Sequence, residues 1–381
     1  MKLRKKVMLV FGTRPEAIKM APLYHALVRY PAEFQTLVCV TAQHRHMLDQ
    51  VLRVFGIVPD IDLNLMKQGQ DLFDVTTSVL LGMRNVLNDH RPDALLVHGD
   101  TTTTLAAAMA GFYMGVQVGH VEAGLRTYDV RAPYPEEFNR QVASKVMRWH
   151  FAPTQLSRRN LLAEHVLAEQ VTVTGNTVID ALMWVLERID SSAPRRELIT
   201  DFLSANLPFD WLHTRFVLVT GHRRENFGDG FLQICQALRQ LAMDYPEVRF
   251  VYPVHLNPNV QKPVRDVLCE LANVHLIEPL DYEPFVYLLK HCYLVVTDSG
   301  GLQEEAPSLG KPVLVMRDVT ERPEAVEAGT VRLVGAHREQ IVSNVSDLLD
   351  NVASYSAMAC SHNPYGDGAA CERIVATLRN I

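Results

Sequence analysis

The sequence contains no Cys-x-x-Cys pair and no His-Glu-x-x-His segment, and its six cysteines (39, 235, 269, 292, 360 and 371) are scattered. These absences remove the common zinc and dithiol patterns, so no metal site is expected. Cys39 and Cys292 lie in or beside apolar strand-like runs, which fits reduced, buried thiols and a cytoplasmic protein. No apolar run approaches the roughly 20 residues needed to span a bilayer. The opening KLRKK followed by VMLVF imitates a signal peptide, but its apolar part is too short and GTRPE stands where a small-residue cleavage site would be. A large charge imbalance is also missing. With 37 basic and 43 acidic residues the net charge is −6, which argues against a nucleic-acid or anionic-membrane partner while leaving room for a local basic pocket. Neither a repeat of 20–50 residues nor a low-complexity tract is present.

What remains is an ordinary soluble composition, 48% hydrophobic and 21% charged, in 381 residues. That length exceeds one typical core and suits two domains. Strand-like runs alternate with helix-length amphipathic segments, the pattern of a parallel sheet covered by helices. The runs are 7–11, 37–41, 94–98, 116–121, 150–152 and 171–174, then 216–220, 249–252, 274–277, 294–297, 313–315 and 331–334. Between the two sets lies a less regular stretch, 190–214. The expected architecture is α/β: two Rossmann-like, doubly wound domains facing a central cleft. The first is placed at residues 1–180 and the second at 181–365. A helix in the remaining 366–381 is expected to pack back on the first domain.

In such folds ligands bind at the carboxyl ends of the strands, so the polar residues after each run are candidates. The most informative segment is DSGGLQEEAPSLGKP, from Asp298 to Pro312. It reads as a strand, a turn at Ser299, Gly300 and Gly301, and a helix starting near Leu302. Glycines permit close backbone approach, and free N–H groups at a helix start favour an anionic oxygen. Glu305, one helical turn on, can accept from sugar hydroxyls. By itself the segment is also readable as an ordinary strand-to-helix turn.

The other strand ends add charge. Gly12-Thr13-Arg14-Pro15-Glu16 follows the first run; the fork of Arg14 suits a diphosphate, whereas Lys19, one turn further, reads from the sequence as a solvated helix charge. Asp100 stands at the position of an N-cap for the helix that begins in the threonine run, and also where a strand end would hold a catalytic carboxylate. Glu122 directly ends a strand that should be buried, a costly place for a carboxylate unless it is paired or used. Glu136 and Glu137 follow Pro135 in a first helical turn, which capping alone would explain. Three carboxylates (Asp100, Glu122, Glu136) in the segments that follow these strands are harder to dismiss together, because differing environments can make one a base and another an acid. In the second half, His222, Arg223 and Arg224 follow a strand, and Arg322 follows another; all are candidate phosphate partners.

At these residues the chain resembles the non-hydrolysing UDP-N-acetylglucosamine 2-epimerases. The motifs that carry the resemblance are GTRPEAIKMAP, TAQHRHMLDQ, HGDTTTT, GHVEAGLRT, PEEFNR, TGNTVIDA, TGHRREN, PVHLNPNV, TDSGGLQEEAPSLGKPVLVMR, TERPEA and HNPYGDG. They run in order through nearly the whole chain. The resemblance implies a glycosyltransferase-B-like fold, a homodimer, no nicotinamide or other cofactor, and interconversion of UDP-GlcNAc with UDP-ManNAc for bacterial surface polysaccharide. It assigns UDP contacts to Arg14, Ser299, Gly300, Gly301 and Glu305, further binding positions to Lys19, Phe285 and Arg322, and catalytic positions to Asp100, Glu122, Glu136 and His222. A binding position often occupied by glutamine in relatives is Leu280 here. The resemblance also implies a second UDP-GlcNAc site that activates the enzyme, with Gln43, Gln70, Arg223 and His255 in segments able to line it. The rival readings are a glycosyltransferase of the same fold, a hydrolysing epimerase that releases UDP, and a silent sugar-nucleotide sensor.

Overall fold

A computed structural model describes residues 4–42, 45–67 and 69–380; of His46, inside a helix, only the backbone is described. The chain divides into two compact units, residues 1–183 with 365–381 and residues 184–364.

The first unit holds a sheet of seven strands: β1 (Lys5–Phe11), β2 (Phe34–Val40), β3 (Ile61–Asp62), β4 (Ala94–His98), β5 (Gln117–Val121), β6 (Trp149–Ala152) and β7 (Val171–Val173). Their order is β3-β2-β1-β4-β5-β6-β7, and every pair is parallel. The second unit holds six strands: β8 (Phe216–Thr220), β9 (Arg249–Pro253), β10 (Val274–Ile277), β11 (Leu294–Thr297), β12 (Val313–Val315) and β13 (Val331–Leu333). They run in the order β10-β9-β8-β11-β12-β13, again all parallel. Both sheets are α/β and Rossmann-like, and two such units in one chain match the expected glycosyltransferase-B-like class.

Helices cover both faces of a parallel sheet, so its strands read as unbroken apolar runs. Val7 to Phe11, Leu95 to Val97 and Leu294 to Val296 are at most 1% exposed. The alternation that marks a half-exposed strand is therefore absent, and length with β-branched content carries the signal. β3 escaped that signal because it is a two-residue edge strand beside Cys39 and Val40. The stretch 190–214 also differs from expectation, for it contains a helix, Ala193–Asn206. Ser192 accepts from the N–H of Arg195, and Pro194 sits in the first turn, where a missing N–H is harmless. Residues read as irregular are the start of a helix.

Strand order reverses between β1 and β4 in one sheet and between β8 and β11 in the other. At such a switch point the connections leave in opposite directions and open a crevice beyond the carboxyl ends. Arg14 and Asp100 follow the first pair, and His222 and Ser299 follow the second. The C-terminal helix Ala370–Leu378 belongs to the first unit, where the Asp180 carboxylate accepts the N–H groups of Ala370 (3.2 Å) and Cys371 (2.8 Å).

Candidate functional site

In the first unit, the turn after β1 lies against its neighbours. A Cβ on Gly12 would stand 2.1 Å from Thr41 Oγ1 and 2.8 Å from Thr103 Oγ1, so only glycine fits. The buried Glu16 carboxylate accepts from the N–H groups of Gly12 (3.0 Å) and Thr13 (2.8 Å) and from the Thr101 hydroxyl (2.7 Å). One carboxylate thus ties the end of β1 to the end of β4. Burial raises its pKa, and the hydrogen bonds oppose that shift. Arg14, half-buried on this turn, makes no side-chain hydrogen bond or ion pair among the described residues, which suits a group that takes an outside anion.

Asp100 is not the helix cap. That role falls to Thr101, whose side chain accepts from the N–H of Thr104. Asp100 instead receives Arg140 Nη1 at 2.9 Å, while Asn139 Nδ2 donates to its backbone carbonyl at 2.8 Å. Burial raises its carboxyl above the usual range. Arg140 pulls it down, Glu122 pushes it up, and Lys19 and Glu136 contribute with opposite signs. Asp100, Glu122, Glu136, Lys19 and Arg140 are therefore one electrostatic cluster.

Glu122 is 8% exposed and has φ +66°, a left-handed conformation that non-glycine residues seldom adopt. Lys19 Nζ forms an ion pair with Oε2, and Asn176 Nδ2 donates to the same oxygen at 2.7 Å. His98 Nε2 stands 3.8 Å away, and burial lowers the His98 pKa to about 3. Lys19 is thus a half-buried partner of Glu122 and not the solvated charge that its helix position suggests. Glu136 is half-buried at the first position of helix Glu136–Ser144, with no side-chain hydrogen bond or ion pair among the described residues. Its neighbour Glu137 is fully buried and accepts from Thr127 N–H, Tyr128 N–H, Arg140 Nε and Gln141 Nε2. Two adjacent glutamates differ in role because successive helix positions face different ways.

In the second unit, the Ser299–Gly301 turn leads into helix Leu302–Glu305, a single turn continued by a 3₁₀ segment, Ala306–Leu309. The helix is shorter than expected, so any pull on an anion comes from the turn's own N–H groups and not from a long macrodipole. The N–H groups of Gly300 and Gly301 meet no acceptor among the described residues. A Cβ on Gly300 would lie 2.7 Å from Arg322 Nη1, so any larger residue there would have to displace the Arg322 guanidinium. Arg322 in turn bonds to the buried Glu304 (2.6 Å) and to Glu321 (3.2 Å), which fixes its fork against the turn. Tyr282 donates to Glu305 Oε1 at 3.2 Å, and Phe285, one turn further along helix Tyr282–His291, is half-buried. Leu280 lies in the loop before that helix.

A family profile described as UDP-N-acetylglucosamine 2-epimerase matches residues 26–379. Two relatives named UDP-N-acetylglucosamine 2-epimerase agree: that of Escherichia coli (strain K12) is 56% identical over 375 residues, and that of Yersinia pestis 58% over 379, each covering 98% of both chains. A crystal structure of the UDP-GlcNAc 2-epimerase from Neisseria meningitidis bound to UDP-GlcNAc superposes with a TM-score of 0.90 at 51% identity, covering 99% of this chain and 100% of that one. The chain belongs to the UDP-N-acetylglucosamine 2-epimerase family.

Other positions are placed less closely. His222 follows β8 and stacks on the exposed His255, with ring centroids 5.2 Å apart; burial lowers the His222 pKa and Asp298 opposes that shift. Arg223 gives its backbone N–H to Asp298 at 2.8 Å. Gln70 uses its amide within its own loop, donating to Leu65 O and accepting Lys67 N–H, both at 2.8 Å. Gln43 lies outside the described residues.

Arg140, Asn176, His98 and Asp298 were not singled out from the sequence of this epimerase-family chain. Arg140 had a signal: it is four residues beyond Glu136 on one helix, hence on the same face. Asn176 follows β7 at the same carboxyl edge as Asp100 and Glu122. His98 read as a strand residue and Asp298 as the residue between a strand and the glycine turn, and only the fold shows what they face. Among the described residues no group of three or more His, Cys, Asp or Glu is arranged to hold a metal ion, and no helix is long and apolar enough to cross a membrane.

Proposed function

We propose that this chain interconverts UDP-GlcNAc and UDP-ManNAc by eliminating UDP to a 2-acetamidoglucal and adding it back with the proton on the opposite face of carbon 2. The observation that carries this reading is the cluster of Asp100, Glu122 and Glu136, anchored by Lys19 and Arg140 at the carboxyl edge of one sheet. Carbon 2 is not beside a carbonyl, so proton removal needs a held carboxylate base and stabilisation of the departing diphosphate. The first unit is assigned the proton transfers. The second is assigned the nucleotide, through the N–H groups of Gly300 and Gly301, Ser299, Glu305, Phe285 and Arg322. Arg14 and His222 are assigned to the diphosphate. The family resemblance extends the reading to a homodimer and to activation by a second UDP-GlcNAc near Arg223 and His255.

Incubation with UDP-GlcNAc in heavy water, followed by NMR, tests the chemistry. Reversible UDP-ManNAc formation with deuterium at carbon 2 is expected. Release of free ManNAc would point to a hydrolysing enzyme, a requirement for an acceptor to a glycosyltransferase, and absence of exchange to a sensor. Retention of UDP is a separate demand, because its escape would turn epimerisation into hydrolysis. Glu305→Ala is expected to weaken UDP binding by roughly tenfold, the scale of one hydrogen bond to a charged group. Equal affinity of variant and parent in calorimetry would remove Glu305 from the nucleotide site.

A further inference from the structure

Asp298 follows β11 at the second sheet's switch point and is fully buried. Its Oδ2 accepts the backbone N–H groups of His222 and Arg223, each at 2.8 Å. Its Oδ1 has no hydrogen-bond partner among the described residues, and His222 Nδ1 stands 3.7 Å from it. A buried carboxylate oxygen without a donor is costly and calls for a reason. The two backbone contacts set the plane of the carboxylate and so direct Oδ1. The turn that carries His222 is also held from beneath, where the Tyr252 hydroxyl donates to Gly221 O at 2.9 Å. Stacking on His255 holds the imidazole plane within 15° of its neighbour.

We propose that Asp298 is a positioning residue for His222: its unshared oxygen accepts a hydrogen bond from Nδ1–H, which leaves Nε2 as the nitrogen available to the diphosphate of a bound nucleotide sugar. This rests on the assignment of His222 to the diphosphate. The remaining gap closes with a small ring rotation, and such contacts tighten when substrate binds. When His222 is charged, Nδ1–H points to Asp298 and Nε2–H is free for a diphosphate oxygen. The proton moves along a hydrogen bond, and no covalent bond to histidine forms. The charged groups that act on His222 are Asp298, which favours the imidazolium, and His255 and Arg223, which oppose it.

The tautomer can be observed in the unaltered enzyme by ¹⁵N–¹H correlation spectra, with the His222 signals identified by their loss in His222→Gln. Neutral His222 protonated on Nδ1 is expected, and protonation on Nε2 would overturn the proposal. In Asp298→Asn the amide oxygen can still accept both backbone N–H groups, but its NH₂ then faces Nδ1 and favours the opposite tautomer. Loss of the negative charge destabilises the imidazolium, so the His222 titration and the alkaline limb of kcat both move to lower pH. Turnover falls by about 10²-fold with little change in KM. A titration that does not move would overturn the proposal, since a merely structural Asp298 would lower the folded fraction without shifting it. If the variant fails to fold, the tautomer in the unaltered enzyme decides. Turnover at the parental rate in His222→Gln would remove His222 from the chemistry while the NMR result still tests the pairing.

Discussion

Glu122→Gln is expected to lower UDP-GlcNAc turnover by about 10³-fold, within the range for loss of a positioned acid–base group. Glutamine keeps the size of the side chain and can still accept from Asn176, whose Nδ2 lies 2.7 Å from the carboxylate. What it loses is the charge and the ability to move a proton. The backbone at this position is held at φ +66°, a conformation that costs of order 1–3 kcal/mol and persists only when its surroundings enforce it. Parallel pairing of β5 with β4 and β6, with Ala123 N–H on Phe151 O at 3.0 Å, supplies that enforcement. The substitution also removes the negative charge paired with the Lys19 ammonium, whose side chain is 13% exposed. A drop in stability of a few kcal/mol is therefore expected as well. Lys19→Met combined with Glu122→Gln separates the two effects: stability returns and turnover does not. Turnover within tenfold of the parent, measured alongside solvent deuterium incorporation at carbon 2, would take Glu122 out of the chemistry.

Acid is expected to unfold the first unit early. His98, His120 and His150 lie on adjacent strands, with His120 in register with His150, and all three are buried. Burial lowers them to about 3, about 4 and about 3 respectively. A histidine with a depressed pKa in the fold binds fewer protons there than in the unfolded chain, whose value is near 6.5. Stability is thus lost as pH falls below about 6.5, and the loss continues toward pH 4, by about 1.4 kcal/mol per pH unit for each proton. Asp100, Glu16 and Asp180 act with the opposite sign, because burial raises their carboxyls and the fold then holds their protons more tightly. Their contribution begins only near their raised values. His150→Phe isolates one histidine, since the ring volume is kept and the titration removed. Urea midpoints from pH 7 to 4.5 are expected to fall less steeply in the variant, by about one proton. Identical slopes in the two proteins would show that His150 is protonated in the fold.

Much of the fold was legible because burial on both sheet faces leaves unbroken apolar runs, and such runs survive any choice of partner. β3 was not legible, for two residues leave no pattern. Helix Ala193–Asn206 was not legible either, because Ser192 and Pro194 serve a helix start and a loop equally well. The same ambiguity affected the site. Asp100 read as the cap, and only the backbone geometry gave the cap to Thr101 and left Asp100 for Arg140. Glu136 and Glu137 were indistinguishable in a first helical turn until Glu137 proved buried on four donors and Glu136 without a side-chain partner among the described residues.

The sequence by itself determined the two parallel sheets and which loops follow their strands, because those depend on local apolar content and on glycine and proline placement. It also carried the family in the ordered motifs from GTRPEAIKMAP to HNPYGDG. Only the tertiary structure decided the pairings: Lys19 with Glu122 across 103 residues, Arg322 with Glu304 and Gly300, and Asp298 with the turn of His222 across 76. A charge on a helix reads as solvated until something folds onto it. Whether a buried carboxylate is paired or left with a free oxygen depends on residues that the chain brings from far away.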